Sequence, residues 1–246
     1  RGDHLVHSIA GCAVNDCHGG DLGGSAKGTD IGPVGKMCAP NITGGGLGAA
    51  YSDGELARII RHGVKKDGRS VRLMPAEDIS WLPDNEVIAI VSYLRTVPSV
   101  DRPNGATSVG TLGKVLDRQD KFPWDVARRI DHAKIETPPP PEPTVAYGQY
   151  MSRLCSGCHG EHLSGGPIPG APPSLPVPRN LTPDGTGLGD WSFADFDKLM
   201  RTGIRKNGEK LDPFMPVDGW KNFDSTEMQA IWAYLRTVPA TKFGGR

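Results

Sequence analysis

The hexapeptide Tyr93-Leu-Arg-Thr-Val-Pro98 occurs again as Tyr234-Leu-Arg-Thr-Val-Pro239. The same 141-residue offset carries Met74-Pro75 onto Met215-Pro216 and Cys17-His18-Gly19 onto Cys158-His159-Gly160. Between these anchors Asn41-Ile-Thr43 matches Asn180-Leu-Thr182, and the run from Arg61 to Gly68 matches that from Arg201 to Gly208, with small changes of loop length. Repetition at one fixed offset over such a length means two copies of one module, each about 100 residues and large enough for its own core. Two copies are too few to stack as a solenoid.

The modules span residues 1–98 and 144–246. Residues 99–143 have no partner in either copy and end in Pro138-Pro-Pro-Pro141-Glu-Pro143, a stiff polyproline II spacer. Within the linker, Val109 to His132 carries Leu112, Val115, Leu116, Phe122, Trp124 and Ile130. That is enough apolar surface to lie against a module, and a partly ordered linker is the alternative. In each module a capping-box pattern, Ser52-Asp-Gly-Glu55 or Ser192-Phe-Ala-Asp195, opens a helix that stops at Gly63 or Gly203. A closing helix follows, with Val87, Ile90, Val91 and Leu94, or Met228, Ile231, Trp232 and Leu235, on one stripe. Short helices are expected ahead of the cysteines, over Leu5 to Ala10 and Tyr147 to Leu154. Strand patterns are nearly absent, so the expected fold is all-α.

The 28 Lys and Arg balance 28 Asp and Glu, which removes the electrostatic footprint of a nucleic-acid binder. No stretch approaches the roughly 20 apolar residues of a membrane span and no leader pattern opens the chain. The reading is a mature, soluble piece, with membrane association possible through a segment not in this chain.

Five cysteines, at 12, 17, 38, 155 and 158, do not make a simple disulfide framework. Cys155-Ser-Gly-Cys158-His159 is C-x-x-C-H, in which two thiols form thioethers with porphyrin vinyl groups and the next residue offers an imidazole to iron. A zinc knuckle would need two further Cys or His at ligand spacing, and a redox dithiol a βαβ context; neither is present. A second axial ligand must reach the opposite face of the haem. Met74 and Met215, each 56 residues after its His and each followed by Pro, satisfy this in both copies. Met37, Met151, Met200 and Met228 lack the symmetry and read as packing.

With these motifs in place, both halves resemble class I cytochrome c domains. The chain resembles a tandem dihaem cytochrome c, two such domains joined by a Pro-rich linker. Asn-Ile/Leu-Thr, Gly-Leu-Gly, Arg-x-Gly-Val/Ile, Met-Pro and Tyr-Leu-Arg-Thr-Val-Pro are also similar to cytochrome subunits of periplasmic sugar and alcohol dehydrogenases. The resemblance implies two covalently attached haem c groups, held by Cys12, Cys17, His18 and Met74 and by Cys155, Cys158, His159 and Met215. Copy one departs from the family pattern, because Cys12-Ala-Val-Asn-Asp-Cys17 has four residues between cysteines where two are usual. A bulge with both thiols attached is favoured; attachment through Cys17 alone, with Cys12 bonded to Cys38, is the alternative. Cys38 aligns with Val177 and reads as a small buried hydrophobe, or in a sharper alternative as a thiolate ligand, as in thiosulfate dehydrogenase relatives. His4, His7, His62, His132 and His162 have no His counterpart, and Arg61/Arg201 and Trp81/Trp220 are candidates for propionate contacts or for packing.

The expectation is a periplasmic electron carrier between a dehydrogenase or quinol-oxidising complex and a small cytochrome or oxidase, without nucleic acid. The alternatives are a dihaem oxidoreductase of the peroxidase or thiosulfate-oxidising type, or an electron-transfer subunit of a larger respiratory or photosynthetic complex.

Overall fold

The helices that open on the capping boxes and those that carry the apolar stripes form in both halves of the chain. In the computed structural model, α1 (Gly2–His7), α2 (Asp53–His62), α3 (Asp84–Leu94) and α4 (Thr111–Arg118) belong to a first unit, Arg1–Thr137. The second unit, Pro138–Arg246, holds α5 (Val145–Met151), α6 (Arg153–His159), α7 (Phe193–Thr202) and α8 (Ser225–Leu235). The structure describes all residues except 16, 120, 122–123, 134–136, 170 and 172–174, so Phe122 lies outside the described residues.

Both capping boxes form. Ser52 and Ser192 accept the backbone N–H three residues on, and Glu55 and Asp195 accept the cap N–H in return, fixing the starts of α2 and α7. Gly63 and Gly203 end them at φ +62° and +67°, left-handed values that glycine adopts without penalty. The stripe of α3 buries Val87, Ile90, Val91 and Leu94, and α8 buries Met228, Ile231 and Leu235. Trp232 is half-buried, tilted against Phe196 with the Arg236 guanidinium over its ring.

In each unit the first helix crosses the closing helix at a glycine. A Cβ on Gly2 would lie 2.8 Å from the carbonyl carbon of Ala89 and 2.7 Å from Tyr93 Cβ. On Gly148 it would lie 2.5 Å from the carbonyl carbon of Ala230 and 2.8 Å from Tyr234 Cβ. Only glycine lets these backbones approach so closely.

The all-α expectation needs one correction. The first unit contains a small antiparallel sheet of β1 (Thr29–Asp30), β2 (Gly35–Met37) and β3 (Ser108–Val109) in the order β1-β2-β3, with Asp30 facing Lys36 and Lys36 facing Ser108. Strands of two or three residues carry no alternation to detect, and the third is recruited from a segment some seventy residues away. That segment is the linker, whose described residues between 99 and 132 belong to the first unit. Val100 N–H donates to Thr43 Oγ1 (3.0 Å), Cys38 N–H to Thr107 Oγ1 (3.0 Å), and Trp124, Val126 and Ile130 are buried, whereas Leu112 and Val115 face solvent. Among the described residues no helix is long and apolar enough to cross a membrane.

Candidate haem-binding sites

α6 places Cys155, Cys158 and His159 at positions i, i+3 and i+4, one face of a helix, so two sulfurs and an imidazole can meet a single planar group. His159 is 5% exposed, and its Nδ1 lies 2.6 Å from the carbonyl oxygen of Arg179. An N–H at Nδ1 donating to that carbonyl leaves Nε2 bare, the tautomer a metal requires. Burial holds the His159 pKa below its usual value, against the Arg179 carbonyl that favours the charged form, so the ring is neutral near pH 7.

The accepting carbonyl is itself fixed by the next residue. Asn180 is buried; its Oδ1 accepts Thr182 N–H (2.9 Å) and its Nδ2 donates to Thr241 O (2.7 Å) and Thr186 Oγ1 (2.9 Å). Next to the imidazole lies an apolar cleft lined by Cys155, His159, Leu181, Phe196, Leu235 and Met215, among others. Met215 reaches it from a tight loop: Met215 N–H donates to Asp212 O (3.0 Å), and Pro216 sits at φ −77°. Cys155, the bare imidazole nitrogen and the Met215 thioether around one apolar cleft, with Cys158 one turn on from Cys155, are the donor set a covalently attached haem needs.

The first unit repeats this geometry. His18 Nδ1 lies 2.7 Å from Pro40 O, and buried Asn41 follows that carbonyl, accepting Thr43 N–H (3.0 Å) and donating to Val100 O (2.7 Å). Burial also lowers the His18 pKa, opposed by the Pro40 carbonyl. Pro75 sits at φ −77°, ψ 58° and Pro216 at φ −77°, ψ 59°. Leu22 and Leu163, 141 residues apart, are both left-handed at φ 57° and 55°, a conformation costing a non-glycine residue roughly 1–2 kcal/mol. Their carbonyls accept Ile42 N–H and Leu181 N–H, at the Asn-x-Thr turns.

In copy one Cys12 and Cys17 lie outside any helix. Cys17 N–H donates to Val14 O (2.9 Å) and His18 N–H to Cys12 O (3.0 Å). Burial, then the neighbouring Cys17, pushes the Cys12 thiol up to about 12, as burial and then Cys158 push up Cys155 to about 12. Cys38 sits elsewhere, buried, its thiol directed to Ala106 O (3.5 Å).

Other residues singled out in the sequence have structural duties. The guanidinium of Arg61 donates to the carbonyls of Ser80 and Leu82, and that of Arg201 to those of Lys221 and Phe223. Trp81 and Trp220 are not equivalent: the turn bonds from Leu82 N–H to Ile79 O and from Phe223 N–H to Trp220 O pair Trp220 with Ile79. Trp81 Nε1 donates to Asp78 O, while Trp220 lines the cleft. Met151, Met200 and Met228 are buried packing. The carbonyls of Pro40 and Arg179, and the asparagines that fix them, carry a role that the residue types alone do not announce. Their signal was the repeated Asn-x-Thr.

Residues 145–239 match the cytochrome c family model. The cytochrome c subunit of a quinone-type alcohol dehydrogenase from Gluconacetobacter polyoxogenes is 38% identical over 110 residues, 42% of this chain and 24% of that protein. The gluconate 2-dehydrogenase cytochrome c subunit of Pantoea cypripedii is 37% identical over 98 residues, covering 37% of this chain and 22% of that protein. The fructose dehydrogenase cytochrome subunit of Gluconobacter japonicus is 31% identical over 103 residues, covering 39% and 21%. The matched region is thus under a quarter of the length of each of these relatives. Fold, donor set and likeness agree: residues 145–239 are a cytochrome c domain, an electron-transfer module built for covalently bound haem c.

Proposed function

We propose that the chain binds two covalent haem c groups, one per unit, and relays single electrons from a donor dehydrogenase or quinol-oxidising complex to a downstream acceptor. The observation that carries this reading is the repeated coupling of each Cys-His pair to a backbone carbonyl, Pro40 for His18 and Arg179 for His159, with a Met-Pro turn at the same interval beyond. Cys155 and Cys158 would attach the haem of the second unit, and His159 Nε2 and Met215 Sδ would bind its iron. Cys12, Cys17, His18 and Met74 would do the same in the first.

Bound there, haem supplies a reversible one-electron couple, whose potential a Met ligand raises. The chain's residues hold the imidazole tautomer, keep water from the apolar cleft and fill both axial positions, which suits a carrier more than a peroxidase or thiosulfate oxidase. Cys38, the sulfur an enzymatic reading would recruit, is directed to a backbone carbonyl. Cysteine-linked cofactors point to an oxidising compartment, the periplasm or the outer face of an inner membrane. The relatives named as dehydrogenase cytochrome subunits support a dehydrogenase as donor.

Denaturing mass spectrometry is expected to find two haem adducts per chain; a single adduct overturns the dihaem reading. The reduced protein should bind carbon monoxide slowly at both haems. Fast binding at one haem, with turnover of peroxide or thiosulfate that is lost in Cys38→Ser or Met74→Ala, overturns the carrier reading.

A further inference from the structure

The two units differ in what lies over the Met-Pro loop. In the first, Ile59, Val71 and Ala76 form one buried cluster with Val126 and Ile130 of the linker, and Met74 and Tyr51 pack against it. Polar contacts fasten the same linker segment to the same elements. Ala127 N–H donates to Ser70 Oγ at 2.9 Å, Arg129 lies 4.0 Å from the Glu77 carboxylate, and the Nδ1 atoms of His62 and His132 are 3.1 Å apart. The corresponding apolar residues of the second unit, Leu199, Leu211 and Val217, are partly exposed, and Phe214, next to Met215, is 42% exposed.

We infer that residues 124–132 form a strap that positions Met74, with Val126 and Ile130 as positioning residues, so that Met74 is the harder of the two methionines to displace from iron. This rests on the dihaem reading. Val71 and Ala76 bracket Met74, and both are buried against the strap. For the Met74 sulfur to withdraw, the loop must move, and it cannot do so without stripping Val126 and Ile130 from their apolar contacts and exposing them to water. The Met215 loop can move while uncovering less. The strap adds no group to the coordination sphere. It raises the cost of opening it, and so makes the two sites unequal although their ligands are the same.

The test uses the full holoprotein, with Met74→Ala and Met215→Ala assigning the signals of each haem. In the unaltered protein, carbon monoxide should bind the reduced first haem at least ten times more slowly than the second. The sulfur-to-iron charge-transfer band of the first haem should also survive to higher pH. Ile130→Ala should raise the first rate about tenfold and lower the pH at which that band is lost, leaving the second haem unchanged, and Ile130→Val should restore both. Where Ile130→Ala weakens the fold of the first unit, Arg129→Gln, which spares the apolar cluster, reads the same two quantities in the same direction. Equal rates at the two haems of the unaltered protein, or an Ile130→Ala variant in which neither quantity moves or both haems change alike, overturns the strap. A single haem adduct in the mass measurement is a separate result, which removes the dihaem reading and the strap's role with it.

Discussion

Gly148→Ala sets two calculable effects against each other. Alanine in place of a helical glycine gains about 1 kcal/mol of helix propensity. The new methyl, however, would sit 2.5 Å from the carbonyl carbon of Ala230 and 2.8 Å from Tyr234 Cβ, well inside ordinary contact. The obstacle includes backbone of α8 and cannot rotate away, so the helices must part by several tenths of an ångström or more. Overpacking costs about 1–3 kcal/mol, and a backbone obstacle puts this site at the upper end, leaving a net loss of about 2 kcal/mol. For a unit of about 100 residues that lowers the melting temperature by roughly 8–16 °C. The same parting would loosen the cleft, whose wall includes Met151 from α5 and Ile231 and Leu235 from α8. Thermal unfolding of the holoprotein, followed through the charge-transfer band assigned to Met215, measures both consequences. Gly54→Ala, in the first unit and followed through the band assigned to Met74, is the control: its methyl would meet nothing within 4 Å, so it should be neutral or stabilising by up to about 1 kcal/mol. A Gly148→Ala protein that melts at or above the parent temperature would refute the close-approach argument.

Met215→Ala should abolish the sulfur-to-iron band of the second haem and lower its potential while leaving the first haem nearly unaltered, as spectra and redox titration would show; survival of both bands would mean another ligand. Burial, then Glu77, raises the Asp78 pKa from 3.8 to about 6, against the pull of Arg129, so the folded state keeps a proton that the unfolded chain releases. Stability should therefore fall as pH rises from about 4 to about 6, and Asp78→Asn should recover on the order of 3 kcal/mol above pH 6 and almost nothing below pH 4 in denaturant titrations; a pH-independent effect would sink this. If both haems are doubly attached as proposed, Cys38 is the one alkylatable thiol left in the holoprotein. Since it is 7% exposed, mass-resolved labelling should modify it only after unfolding, and a second labelled cysteine would point to single attachment of the first haem.

The motifs of the candidate site were legible because their chemistry is local. The Cys-His pairs, the Met-Pro turns, both capping boxes, the glycine stops and the apolar stripes of α3 and α8 each depend on residues a few positions apart. Duplication then let each copy vouch for the other. Helix edges before the cysteines were less legible: α1 lies earlier than Leu5 to Ala10, and Tyr147 to Leu154 is broken at Ser152 between α5 and α6.

What tertiary structure alone decided is everything carried by contacts between distant residues. Nothing near His18 or His159 says that a carbonyl some twenty residues on will fix its tautomer, or that Asn41 and Asn180 will hold that carbonyl through residues about sixty positions further along. The apolar content of residues 109–132 showed that the segment could cover something; its position over the Met74 loop, and the recruitment of Ser108–Val109 into a sheet, came only with the fold. Such contacts depend on which surfaces remain uncovered once the helices have packed, and spacing along the chain does not encode them.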